Sequence, residues 1–232
     1  MKFPLCQHAF FPKNKKGRDW FCGDVHGDLM NFLGLLSSRG FSWCNDRVFL
    51  CGDTIDRGED SAKVLGVLLS QSGFAFSCLG NHELMFYESM WDVDERRRHI
   101  RNGGNWVNGE SEERLDRLRG VVAEKMPLAI TVETEYGLIG LSHASAPDDW
   151  HVFEHEELTY ADCYRFLSDS SQCSDAACGK SAQIKNVGLS LHGHTNSNEI
   201  VVGRNQAWID TKYIGGGETL LTAHEAFSLI SR

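Results

Sequence analysis

Three segments near the start of the chain repeat one grammar: a short apolar run, then Gly-Asp or Gly-Asn, then polar residues leading into a helical pattern. The runs fall at residues 19–22, 48–51 and 74–79, and the helical patterns at about 28–38, 60–71 and 83–91. Asp24 and Asp53 are 29 residues apart, and Asp53 and Asn81 are 28 apart, close to the roughly 30 residues of a βαβ unit. That spacing predicts parallel strands joined by right-handed crossovers, so the carboxyl ends of the strands share one edge. Ligand sites of open α/β sheets lie beyond such ends, which brings Asp24, His26, Asp53, Asn81 and His82 to one place.

The remainder continues the α/β reading. Residues 108–125 form a charge-laced helix with Leu115, Leu118, Val121 and Val122 on one face. After Met126 the pattern turns to strands at 130–133, 137–142, 187–191, 199–202, 207–210 and 219–222, predicting a second, more antiparallel sheet. Between them, 150–182 reads as a short helix near 160–167 followed by a long loop, and Gly215 to Gly217 as a turn. With 232 residues, 41% of them hydrophobic, the chain can bury a core, and one domain over 1–232 is the expectation.

Charge excludes some functions. With 23 basic and 32 acidic residues the net charge is −9, which is not the balance of a nucleic-acid binder. No apolar run approaches the roughly 18 residues of a membrane span, and residues 1–11 lack a signal-peptide pattern, so the expected compartment is the cytoplasm. Eight cysteines then read as reduced thiols, with Cys22, Cys51 and Cys78 at buried strand positions.

The strand ends carry GDVHGD, GDTIDRG and GNHE, and later strands add LSHAS and LHGHT. A lone Asp or His beside glycine reads as a turn or cap residue. Five such motifs at one sheet edge, all with metal-compatible donors, point instead to a site. Asp, Asn and His donors without thiolates suit a borderline to hard divalent ion such as manganese, iron or zinc, and six donors exceed what one four-coordinate ion needs. Two ions sharing a carboxylate are the economical arrangement.

Through these five motifs the chain resembles the metal-dependent phosphoprotein phosphatases (PPP type) of the calcineurin-like metallophosphoesterases, over about residues 20–222. It is most similar to the small bacterial and phage branch of the lambda phosphatase type, which shares an NGG(x)W segment, here Asn102 to Trp106, and an IDT strand, here Ile209 to Thr211. The resemblance implies two packed mixed β-sheets flanked by helices, an αββα sandwich around a βαβαβ metal-binding core. It implies one metal on Asp24, His26 and bridging Asp53, and a second on Asp53, Asn81, His143 and His192, with Mn²⁺ first and Fe or Zn as alternatives. It further implies that His82, oriented by Asp56, is the general acid, that Arg57 grips the phosphate, and that a bridging hydroxide attacks in line. Arg165, in CYRFL, stands where a second phosphate-binding arginine falls, without its usual Trp context. Ser145 and Lys212 depart from the pattern; Lys212 either adds positive charge toward the substrate or is solvated. His194 is taken to orient His192, and His8, His99, His151, His155 and His224 as bystanders.

The implied reaction is hydrolysis of phosphoserine and phosphothreonine, with phosphotyrosine accepted, on a phosphoprotein or phosphopeptide partner. The alternative is a bis(5'-nucleosyl)-tetraphosphate hydrolase. Asp56 separates the two, because an anhydride needs little protonation to leave and the similar dinucleoside hydrolases tend to lack this Asp.

Overall fold

Strands β2 (Asp19–Cys22) and β3 (Arg47–Leu50) are buried on both faces, which is why they read as unbroken apolar runs. Trp20, Cys22, Val48 and Leu50 turn one way, into a core with Phe32 and Leu36 of helix α1 (Leu29–Ser38). Phe21 and Phe49 turn the other way, toward a second sheet. Strand β4 (Ala75–Ser77) runs parallel to β3, as β3 does to β2, and the C-terminal β10 (Leu220–Thr222) closes this sheet antiparallel to β2. The computed structural model describes residue 3, residues 5–212 and residues 217–231, so Gly215 and Gly216 of the expected turn lie outside the described residues.

Among the described residues the second sheet has six strands, ordered β1 (His8–Phe11), β5 (Ala129–Glu133), β6 (Leu138–Ser142), β7 (Leu189–His192), β9 (Gln206–Trp208) and β8 (Val201–Val202). It is mixed: only β5–β6 and β8–β9 pair antiparallel, so the expected antiparallel character is confined to two of the five pairings. Strand parity decides what each side chain faces. Ile139, Leu141, Leu189 and Leu191 meet Phe21 and Phe49 in the core between the sheets, where each buried side chain contributes about 1.5–3 kcal/mol. Gly140, Ser142, Ser190 and His192, at the alternate positions, face outward beneath helices.

Those helices complete the αββα layering. Helix α2 (Ser61–Lys63) runs into π-helical turns at Val64–Leu69, and α5 (Glu112–Lys125) covers the same side of the first sheet. The outer side of the second sheet carries α6 (His151–His155), α7 (Tyr160–Ser168) and α8 (Ser171–Ala177). The last of these stands where a long loop was expected, and its Cys173 and Ala176 pack on Trp208. Helix α3 (Asn81–Glu88) leads into α4 (Val93–Arg101) and a 3₁₀ segment, Gly104–Gly109, while α9 (Ala223–Ile230) ends the chain against β2. All eight cysteines are free thiols, with Cys22, Cys51 and Cys78 buried as expected. Among the described residues no helix is long and apolar enough to cross a membrane.

Gly140 makes the outer layer possible. A Cβ there would come within 2.5 Å of the Trp150 ring, which is fully buried and donates from Nε1 to Thr131 Oγ1 at 2.8 Å. Gly140→Ala is therefore expected to destabilise the fold by about 1–3 kcal/mol through overpacking, measured as a lower urea midpoint at unchanged slope.

Candidate active site

The loops leaving the carboxyl ends of β2, β3, β4, β6 and β7 converge. Asp24 and His26 follow β2; Asp53, Asp56 and Arg57 follow β3; Asn81 and His82 open α3; His143 follows β6; His194 lies two residues beyond β7. The backbone is bent to present them. Six non-glycine residues among those described have positive φ, and five are His26, Asp53, Asp56, Arg57 and His194, with φ of 49°, 45°, 70°, 66° and 63°. Each such residue costs on the order of 1–3 kcal/mol, and strain of this kind collects where geometry serves chemistry.

Donor atoms of His26, Asp53 and His82 lie within 4.8 Å of one another, and so do those of Asp53, His143 and His194, making Asp53 common to both groups. Asp24 Oδ2 stands 3.9 Å from His26 Nε2. Asp53 Oδ1 is 3.3 Å from His143 Nε2, and its Oδ2 is 3.8 Å from His82 Nε2 and 3.9 Å from His26 Nε2. Asn81 Oδ1 sits 2.9 Å from both His143 Nε2 and His194 Nδ1. The far nitrogens of two rings are anchored on backbone carbonyls, His26 Nδ1 on Ile55 at 3.0 Å and His143 Nδ1 on Cys51 at 2.7 Å, which aims each Nε2 inward.

Electrostatics follow from crowding acids and imidazoles out of water. Burial, reinforced by Asp210, pushes the Asp24 carboxyl well up. Asp53 is held well below the usual range despite burial, because His143 and His82 face it. Burial lowers His26 and His194 to about 4, leaving both neutral. His143 goes the other way, to about 9: Asp53 and Asp24 outweigh its desolvation.

Asp56 is the hub of a second arrangement. Its Oδ2 accepts from His82 Nδ1 at 2.7 Å, while Oδ1 accepts from His99 Nε2 at 2.9 Å and Trp106 Nε1 at 2.7 Å. His99, set aside as a bystander from sequence, is fully buried on α4. Its signal was a lone histidine on a mostly charged helix, shortly before NGG. That segment backs the site closely: a Cβ on Gly103, at φ 105°, would lie 2.8 Å from Arg57 N, and one on Gly104 would lie 2.4 Å from the His99 ring. Glu83, which the GNHE motif contains but sequence reasoning gave no role, ties down the β3 loop. It accepts from the backbone amides of Asp53, Thr54 and Ile55 at 3.0, 2.7 and 3.2 Å. Burial, with the Asp53 charge adding, pushes the Glu83 carboxyl up to about 7.

Arg57 reaches across the two imidazoles, Nη1 at 3.0 Å from His26 Nε2 and Nη2 at 3.2 Å from His82 Nε2. Arg165 does not join them. Its guanidinium lies 4.9 Å over the Phe166 ring, lining a depression of about 250 Å³ that it shares with Ser145, Asp148 and Asp169. Lys212 takes neither course expected of it: Nζ is held by Asp28 Oδ2 at 3.1 Å, Glu218 Oε1 at 2.6 Å and the Val25 carbonyl at 2.7 Å.

His192 is the main correction. As the last residue of β7 it shares the parity of Ser190 and points to the outer face, stacked 4.8 Å from Trp208 and 3.0 Å from Ser190 Oγ. His194, past the strand and at positive φ, turns back to Asn81 and takes the place assigned to His192. The relation runs opposite to expectation, since His194 faces the carboxylates while His192 is core.

The profile of the calcineurin-like phosphoesterases matches residues 18–198. The chain belongs to that family. This phosphoesterase is 26% identical over 194 residues to serine/threonine-protein phosphatase 2 of Salmonella typhimurium, covering 83% of the chain and 86% of the relative. It is 29% identical to the symmetrical bis(5'-nucleosyl)-tetraphosphatase of Aliivibrio fischeri, over 63% of the chain but only 49% of that protein. A crystal structure described as a candidate diadenosine tetraphosphatase superposes with a TM-score of 0.61 at 16% identity, over 94% of this chain and 98% of that one. That last likeness concerns the fold.

The family uses a dinuclear metal centre, and the residues of this phosphoesterase fit one. Asp24 and Asp53 are buried carboxyl groups faced by imidazoles; Asp53, held charged by His143 and His82, needs such compensation or a cation, and a cation would likewise favour the ionised form of Asp24. Because His143 must shed a proton to become a ligand, metal uptake competes with protonation at every pH below about 9. Raising the pH from 7 to 8 is thus expected to tighten Mn²⁺ binding to chelator-treated protein by at least about tenfold, the share of the one proton that His143 gives up. Titration calorimetry at the two pH values checks this.

Proposed function

We propose that this phosphoesterase removes phosphate from phosphoserine and phosphothreonine of proteins in the cytoplasm, accepting phosphotyrosine as well. The observation that carries the reading is the Asp56–His82 pair at 2.7 Å. The alkoxide of serine or threonine is a poor leaving group and needs a proton as the P–O bond breaks, whereas a phosphoanhydride does not. Asp53 and Asp56 raise His82 above the ordinary histidine value despite its burial, so it keeps that proton to a higher pH than a free imidazole would.

Asp24, His26 and Asp53 would hold one divalent ion, and Asp53, Asn81, His143 and His194 the other, with Mn²⁺ the first choice. Such a pair supplies a nucleophile at neutral pH and withdraws charge from the phosphoryl oxygens. The other roles fall to side chains. Arg57, positioned by Gly103, offers a planar fork to two phosphoryl oxygens and stays charged as they gain electron density. His82 gives its Nε2 proton to the departing oxygen, and Asp56 holds the ring by Nδ1. Arg165 is retained as a contact for substrate groups outside the phosphate.

His99 acts through Asp56. His99→Phe keeps a planar aromatic ring, somewhat larger than imidazole, but removes one donor to Oδ1, and is expected to lower kcat on a phosphoserine peptide about tenfold with KM little changed. The same variant should lose less on para-nitrophenyl phosphate; an equal loss on both would point to structural damage.

The deciding experiment gives chelator-treated protein Mn²⁺ and compares para-nitrophenyl phosphate, a phosphoserine peptide and diadenosine tetraphosphate. Preference for the monoesters supports the proposal. Preference for the dinucleotide, the reading favoured by the 29% identity to a tetraphosphatase, overturns it.

A further inference from the structure

We propose a separate metal site on the outer layer, formed by the side chains of His151, Glu154 and His155 for one zinc-class divalent ion. The three residues stand at i, i+3 and i+4 of α6, hence on one face. Their donor atoms all lie within 4.8 Å of one another. Glu154 Oε2 is 3.7 Å from His151 Nε2 and 3.6 Å from His155 Nε2. Those separations are too long for hydrogen bonds. They approach the roughly 3.4 Å between ligands of a tetrahedral ion bound at about 2.0–2.1 Å.

The carboxylate is aimed from below. Thr131 on β5 donates its hydroxyl to Glu154 Oε1 at 3.4 Å, and His8 Nε2 lies 3.8 Å from the same oxygen. One oxygen is thereby engaged with the sheet while the other faces both imidazoles, the support that a ligating carboxylate ordinarily has. Asp149 Oδ1 accepts the backbone amide of His151 at 3.0 Å and steadies the start of the helix. Two imidazoles and one carboxylate select zinc, nickel or copper over magnesium or calcium, and three protein donors leave a position open to water. A bound ion would fasten α6 to β5 through Glu154 and Thr131. None of these residues belongs to the catalytic cluster.

The test is calorimetric titration of the chelator-treated full chain with Zn²⁺ alone, comparing wild type with His151→Asn/His155→Asn. Both side chains are half-exposed or more, at 52% and 70%, so the double variant is expected to fold, which circular dichroism verifies. Wild type should bind one equivalent more than the double variant, and Glu154→Gln should weaken that equivalent. Asp53→Asn, which disables the catalytic cluster instead, should retain it. Equal stoichiometry in wild type and double variant, or loss of the extra equivalent in Asp53→Asn, overturns the proposal.

Discussion

Asp53→Asn is expected to abolish turnover, by on the order of 10⁴-fold or more, beyond what a single proton-transfer group supplies. The side chain keeps its size but loses the charge that both donor groups share. Its carboxylate also balances His143, 3.3 Å away, so the variant leaves an imidazolium buried beside a neutral amide. His143 should then fall from about 9 toward neutral, and the protein should stay folded by giving up that proton rather than by keeping its metal. The measurement is metal content after dialysis against Mn²⁺, alongside hydrolysis of para-nitrophenyl phosphate. A variant that retained the full metal complement would show that Asp53 is not the shared ligand.

His82→Asn should separate proton transfer from metal binding. Metal content is expected to stay at the wild-type level, while kcat on a phosphoserine peptide falls about 10²- to 10⁴-fold. On para-nitrophenyl phosphate the loss should be far smaller, because nitrophenolate departs without a proton. The pH profile carries the same information. An acid works only while protonated, so wild-type kcat should decline as pH rises through the raised pKa of His82, and the variant should lack that limb. Equal losses on both substrates would remove His82 from the acid's role.

The three strand–loop–helix units were legible because strands buried on both faces leave unbroken apolar runs and their exits are marked by Gly-Asp or Gly-Asn. The same logic concealed β1, a four-residue strand without full burial whose partner β5 lies more than a hundred residues away in sequence. Helix α4 escaped notice because its residues are charged and His99 is the one fully buried; its stop-and-start signals, Asp92 capping Asp94 N at 2.7 Å and Glu95 N at 3.2 Å, are local rather than periodic. Most of the site could be read from motif order, but the choice between His192 and His194 could not. It depends on the side of the sheet on which β7 ends, a fact of register that emerges only when Leu189 and Leu191 commit to the core between the sheets. Likewise, the contacts of His99 and Trp106 with Asp56 join segments that are 43 and 50 residues from it in sequence.

The left-handed backbone at Asp53, Asp56, Arg57, His26 and His194 sets heat resistance against chemistry in this protein. Glycine would sit at such φ values without penalty, so at an exposed position such as Arg57 a change to glycine relaxes the loop while discarding the phosphate grip. A population screened only for survival at high temperature would therefore drift toward silent enzymes, with the gains gathering at the positions on which catalysis depends. Heat-resistant forms that still work must draw their stability from elsewhere, in the two sheets and their helical layers, and leave these five residues under tension.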